Sequence, residues 1–146
     1  MVVERAGGGV DTVRTTLNSA TAAGQIENLT FTGTGSAALT GNGLDNVLRG
    51  GAGTDLLNGG AGADIYWGGA GADTFVLRKG EASGDCVNAE AGDQLRLEGF
   101  GRGAVLVENG ASATANAWCI SYSGGVEVLQ INGRLPLTEG VDFVFV

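Results

Sequence analysis

Residues 41–76 read GNGLDNVLR (41–49), GGAGTDLLN (50–58), GGAGADIYW (59–67) and GGAGADTFV (68–76), four consecutive copies of a nine-residue unit with no insertion. Each copy opens on a glycine-rich turn, places Asn46, Asp55, Asp64 or Asp73 sixth, and places Leu48, Leu57, Tyr66 or Phe75 eighth. A six-residue turn followed by a three-residue strand reverses the chain once per copy, so two copies complete one coil of a flattened parallel β-roll. Copies 50–58 and 68–76 are expected to stack on one side, and 41–49 and 59–67 on the other. Side chains alternate in direction along a strand, which sends the eighth-position residues inward and their neighbours, such as Trp67, outward.

Working outward, 6–14 (AGGGVDTVR) reads as an isolated copy of the same unit, with Asp11 at the acid position and Val13 at the core position. The chain is therefore expected to begin inside an array. Between Thr15 and Thr40 the unit decays; Leu29 and Phe31 alternate with Thr30 and Thr32 as in a strand, Gly33-Thr34-Gly35 reads as a turn, and Leu39 lies nine residues before Leu48. Coiling is expected to start there, in degenerate form. After Val76 the nine-residue register is lost. Period-two alternation marks half-buried strands at Leu95/Leu97, Val105/Val107, Trp118/Ile120/Tyr122 and Val126/Val128, and the break from Tyr122 to Val126 suits a hairpin. No segment carries sustained helical periodicity. The reading is an all-β chain: degenerate repeats over 1–40, a parallel β-roll over 41–76, and a β-sandwich-like C-terminal cap over 77–146, which closes the end of the array.

The array is poorly suited to folding alone. Eleven glycines fall between Gly41 and Gly71, and an ordered glycine costs roughly 0.5–1 kcal/mol relative to alanine. The core of the repeats is one side chain per copy. Stacked turns also bring Asp55 near Asp73, and Asn46 near Asp64, so the acids need a counter-charge. A hard divalent cation supplies it. Calcium accepts six to eight oxygen ligands in flexible geometry, and these turns offer carboxylates and backbone carbonyls. Zinc is disfavoured without histidine or paired cysteine, and magnesium by its demand for tight octahedral geometry. At a hundredfold excess over its dissociation constant, one ion adds about 2.7 kcal/mol to the folded state.

The totals agree with a cation-binding surface. Among 146 residues there are 28 glycines, one proline, no histidine, and 16 acidic against 8 basic residues, for a formal charge of −8. Nucleic acid is excluded as a natural partner, because displacing counterions from phosphates needs a basic stripe. No stretch approaches the roughly 20 apolar residues of a membrane span. Nor does Met1-Val2-Val3-Glu4-Arg5 open a basic-then-apolar signal peptide. Cys86 and Cys119 stand outside any CxxC spacing and read either as two small core residues or as one disulfide. With no histidine there is no Ser-His or Cys-His pair, and the acids are committed to turns; the chain is not expected to be an enzyme.

GGAGTDLLN, GGAGADIYW and GGAGADTFV resemble the repeats-in-toxin (RTX) nonapeptide, GGxGxDxUx. The match is close over 50–76 and looser at 41–49 and 6–14. The resemblance implies a module that folds on extracellular calcium, carried by a protein that a Gram-negative bacterium secretes through type I machinery with an uncleaved C-terminal signal. The ending Asp142-Phe143-Val144-Phe145-Val146 is similar to the acid-plus-apolar terminus of such substrates, and Gly84-Asp85 through Leu97 to the family's post-repeat segment. The resemblance also implies calcium held between turns two copies apart. One ion would lie between the carbonyls of Gly50, Ala52 and Thr54 and the turn of Gly68, Gly69 and Asp73. A second would lie between the carbonyls of Gly41, Gly43 and Asp45 and the turn of Gly59, Gly60 and Asp64. Asp55 is the further acid of the column. Leu44 in place of glycine and Asn46 in place of aspartate should weaken the site at copy 41–49. Polysaccharide- or surface-binding accessory modules and the C-terminal parts of secreted hydrolases are the alternative settings in which such repeats would serve.

Overall fold

The computed structural model describes residues 9–101, 104–108, 117–122, 124–133 and 143–146. These form fourteen strands and, among the described residues, no helix. One sheet runs in the order β1 (Thr12–Thr15), β3 (Asn28–Phe31), β5 (Val47–Ala52), β7 (Ile65–Ala70), β9 (Cys86–Ala89), β13 (Gly125–Gly133), β12 (Ala117–Tyr122), β11 (Val105–Glu108). The other runs β2 (Ser19–Thr21), β4 (Ala38–Thr40), β6 (Leu56–Asn58), β8 (Thr74–Arg78), β10 (Gln94–Glu98), β14 (Phe143–Phe145). Consecutive strands up to β10 alternate between the sheets, and each pairs in parallel with the strand one coil away. This is the parallel β-roll expected from the nonapeptide, with about five coils.

The eighth-position residues build the core. In the first sheet Val13, Leu29, Leu48, Tyr66, Val87 and Ile131 form one unbroken register column. In the second, Ala20, Leu39, Leu57, Phe75, Leu95 and Phe143 form another. Leu48, Leu57, Phe75 and Val87 are wholly buried, and the Tyr66 and Phe75 rings meet edge to face with centroids 6.0 Å apart. Trp67, outward at a ninth position, is 43% exposed. Coiling begins before Gly41, as Leu39 suggests, and Val13 of the isolated N-terminal unit joins the same core column. The coil is eighteen residues between Leu48 and Tyr66, but nineteen between Leu29 and Leu48 and twenty-one between Tyr66 and Val87. The extra residues lengthen β3 to four residues, β8 to five and the turn 79–85 to seven.

Beyond β10 the chain leaves the coil for an antiparallel meander. β11 pairs with β12, and β12 turns back at Tyr122 opposite Gly125 into β13. The far half of β13 then returns to the roll, pairing in parallel with β9 from Gln130 to Gly133. β14 takes the matching place beside β10. These later strands are thus continuous with both sheets. They are fastened by the buried carboxylate of Glu127, which accepts the N–H groups of Gly80 (2.7 Å) and Ala82 (3.2 Å) from the turn between β8 and β9. Phe143, Phe145 and Phe100 form an edge-to-face cluster. Cys86 is a free thiol, and its sulfur accepts from Asn132 Nδ2 at 3.4 Å. Residues 1–8 and Asp142 lie outside the described residues.

Candidate metal centre

The roll has two edges, each a stack of turns. The first carries turns 22–27, 41–46, 59–64 and 79–85; the second carries 32–37, 50–55, 68–73 and 90–93. Along each edge the sixth-position residue points into the stack and is buried: Asn46, Asp64 and Asp85 on the first, Asp55, Asp73 and Asp93 on the second. Asp85 and Asp93 stand outside the nonapeptide spacing yet enter the same columns, because their turns occupy the next coil.

Every aspartate of the two columns uses one oxygen in the same way. Asp64 Oδ1 accepts the N–H of Asn46 (2.8 Å), and Asp85 Oδ1 that of Asp64 (2.9 Å). On the other edge Asp55 Oδ1 accepts from Ala37 (2.7 Å), Asp73 Oδ1 from Asp55 (2.8 Å), and Asp93 Oδ1 from Asp73 (2.9 Å). A column of charge-assisted hydrogen bonds therefore ties each turn to the one above it. The second oxygens differ. Asp85 Oδ2 accepts from the Tyr66 hydroxyl (3.2 Å) and Asp93 Oδ2 from the N–H of Glu90 (2.7 Å). The Oδ2 atoms of Asp55, Asp64 and Asp73 are buried and have no partner. An unpaired buried carboxylate oxygen is costly. It is a place where a cation belongs.

Electrostatics agree. Burial raises the Asp64 carboxyl to about 6, against the opposing pull of the Asn46 N–H. Burial likewise raises Asp73 to about 6 and Asp85 to about 7, and pushes Asp55 up. Without a counter-charge these groups resist ionisation.

The glycines explain why oxygen can crowd here. Oδ2 of Asp55, Asp64 and Asp73 lies where a β-carbon would stand on Gly50, Gly59 and Gly68, the first residue of each turn. Gly59 O lies against Gly41, and a β-carbon on Gly50 would be 2.8 Å from Gly68 O. Carbonyls at second and fourth positions press on the following turn: Asn42 O on Gly60, Leu44 O on Gly62, Gly51 O on Gly69 and Gly53 O on Gly71. Gly60, Gly62, Gly69 and Gly71 hold φ between +96° and +135°, a conformation closed to most side chains.

Of the residues singled out from sequence, Gly41, Gly59 and Asp64 come together on one edge, and Gly50, Gly68, Asp55 and Asp73 on the other. Gly60 and Gly69 face the preceding turn. Gly43 borders open space, Asp45 is exposed and accepts the Ala63 N–H at 2.8 Å, Ala52 is exposed in β5, and exposed Thr54 donates its N–H to Ser36 Oγ at 3.0 Å. The carbonyls of Asn42, Leu44, Gly51 and Gly53 were not singled out, because spacing does not tell which alternate carbonyls of a turn face its neighbour. Among the described residues no three His, Cys, Asp or Glu side chains converge. The donor set is one carboxylate per turn with backbone oxygens around it. That set fits calcium, with its preference for many oxygen ligands in flexible geometry.

A family model of the RTX calcium-binding nonapeptide repeat, in four copies, matches residues 40–75. No curated protein matches the chain. The match spans the turns in which the unpartnered carboxylate oxygens lie, and residues 40–75 are therefore a run of RTX repeats, a calcium-binding unit, wound into the middle of this roll.

Proposed function

We propose that this chain is a calcium-dependent folding module of a larger secreted protein, in which Asp55, Asp64 and Asp73 hold ions between stacked turns. The observation that carries the reading is the trio of buried, unpartnered Oδ2 atoms, found at the three GGxGxD turns and at no other aspartate of the columns. Bound calcium would supply positive charge at those atoms. The chain supplies the rest: Oδ1 pins each aspartate to the turn above, the glycines admit carbonyls at close range, and Tyr66, bonded to Gly59 N–H (3.1 Å) and Asp85, holds the first-edge turns over the core. Ion binding and coil formation are one event, since each ion joins residues eighteen apart that the unfolded chain does not hold together as a site. In this reading the repeats bind calcium structurally. In this reading the apolar C-terminus addresses the chain to type I export from a Gram-negative cell, and folding follows outside.

Circular dichroism during a calcium titration tests the reading. The expected result is a disordered spectrum in chelator and β-structure at roughly 10⁻⁴–10⁻³ M calcium, the range of extracellular modules. A β-spectrum indifferent to chelator would sink it.

A second reading has one observation behind it. Trp67 lies outward on the first sheet with the Arg49 guanidinium 5.3 Å from its ring centroid, an aromatic and a cation side by side such as a polysaccharide-binding accessory module would present. Retention on acidic polysaccharide that is lost in Trp67→Ala would favour it.

A further inference from the structure

The first-edge column changes chemistry at Asn46. Below it, carboxylates accept backbone N–H groups from the turn above. At Asn46 the polarity reverses: its Nδ2 donates to the carbonyls of Ile26 (3.0 Å) and Glu27 (3.2 Å). Asn42, in the same turn, donates its own Nδ2 to Ile26 O (2.9 Å) and Ala23 O (3.1 Å). Two side-chain amides thus meet three carbonyls of turn 22–27. Their oxygens are used as well, Asn46 Oδ1 accepting from Asn42 N–H (2.7 Å) and Asn42 Oδ1 from Leu44 N–H (2.8 Å). No oxygen is left over of the kind that Asp55, Asp64 and Asp73 each retain.

The backbone departs from the repeat at the same place. In turns 50–55, 59–64 and 68–73 the second and fourth residues are glycines with φ from +96° to +135°. Turn 41–46 has Asn42 and Leu44 there, and no described non-glycine residue has a positive φ. The hydrogen bond from Leu44 N–H to the Asn42 side chain bends this turn instead.

We infer that Asn42 and Asn46 close the step between turns 22–27 and 41–46 without a cation, and that the first-edge calcium column ends there. The inference rests on the calcium reading of the lower turns. An amide is a neutral donor, so it satisfies the Ala23, Ile26 and Glu27 carbonyls and needs no counter-charge, while its N–H dipoles repel an ion. The step above Asn46 is therefore independent of calcium, and gives the calcium-dependent coils a fixed edge on which to stack. The amides of Asn42 and Asn46 together set this boundary.

The test is the calcium count of the double variant Asn42→Gly with Asn46→Asp beside the native chain, read by native mass spectrometry at saturating calcium. With no amide left to meet Ala23, Ile26 and Glu27, the variant should bind one more ion per chain than the native protein. An equal count overturns the inference and leaves the calcium reading standing; a native chain that binds no calcium sinks both. If that variant does not fold, the reverse exchange decides. Asp64→Asn, which keeps an oxygen for the Asn46 N–H, should retain more β-structure in chelator than the native chain, because the new amide can meet the carbonyls of turn 41–46. A chelator spectrum identical to the native one would overturn the inference.

Discussion

Five aspartates stand in the two columns, and their second oxygens separate them into kinds. Asp85 and Asp93 spend both oxygens on the protein, whereas Asp55, Asp64 and Asp73 keep one in reserve. Replacing Asp73 by Ala should therefore raise the calcium midpoint of folding by about tenfold or more, about 1.4 kcal/mol. Asp11→Ala should leave it nearly unchanged, since Asp11 is tied to Glu27 through its backbone N–H. Equal shifts in the two titrations would contradict the site. Acidity offers a second check. Burial raises Asp64 and Asp73 from 3.8 to about 6, and Asp85 from 3.8 to about 7. A carboxyl with a raised folded-state pKa binds more protons folded than unfolded. Its contribution is full below about pH 4 and is lost as pH rises through about 6 to 7. In chelator the chain should thus gain β-structure on acidification from about pH 7 to 5, while its apparent calcium affinity falls over the same range, because calcium needs the ionised form. A calcium-free fold that weakens on acidification would show that the carboxylates are already ionised and paired.

At the scale of the element, the turn is the unit that works and the strand is what it leaves behind. Gly60 has φ +96°, and a β-carbon there would run into Asn42 O; Gly43, in the turn above, has nothing near it. Gly60→Ala is expected to destabilise the calcium-loaded protein by about 1–3 kcal/mol. Gly43→Ala should be neutral or stabilise by about 0.4–1 kcal/mol through the unfolded chain. Thermal melts at saturating calcium measure both, and similar losses would mean that the turns do not stack as described. The three-residue strands read from the repeat are met by β6, whereas β5 and β7 run on for six residues. Their extension pairs Gly51 with Gly69 and Ala52 with Ala70. Glycine and alanine carry no alternation of apolar and polar side chains, so a pattern reading stops where the backbone pairing continues.

For the molecule as a whole, β14 is an edge strand among the described residues, and in the proposed reading residues 142–146 also serve as the export signal. Phe143 is buried at the end of the second core column, and Val146 is exposed. Deleting 142–146 should abolish type I export, but it also removes β14 from the sheet. Val144→Asp with Val146→Asp separates the two roles by leaving Phe143 and Phe145 in place. This variant should fold on calcium in solution yet be secreted poorly, as measured by its partition between cells and medium. Secretion at the native level would reduce the tail to a strand.

How much of this was legible beforehand follows from where each feature keeps its information. The nine-residue period, the glycines at fixed offsets and the single large side chain per copy are local, and they dictated a coil in which Leu48, Leu57, Tyr66 and Phe75 meet inside. The sixth-position acids and the absence of histidine pointed to an oxygen-rich cation site. The course of the last seventy residues was not local. That β13 rejoins β9 as well as pairing with β12 depends on an open sheet edge made by a strand some forty residues earlier. The same holds for Asp85 and Asp93, which enter the acid columns only because their coils stack beneath Asp64 and Asp73. Asn46 is the sharpest case. The sequence by itself marked it as a weak ligand in a repeat, but the stacking of turn 41–46 under turn 22–27 decided that its amide meets carbonyls. Donors and acceptors eighteen or more residues apart are brought together by the roll alone.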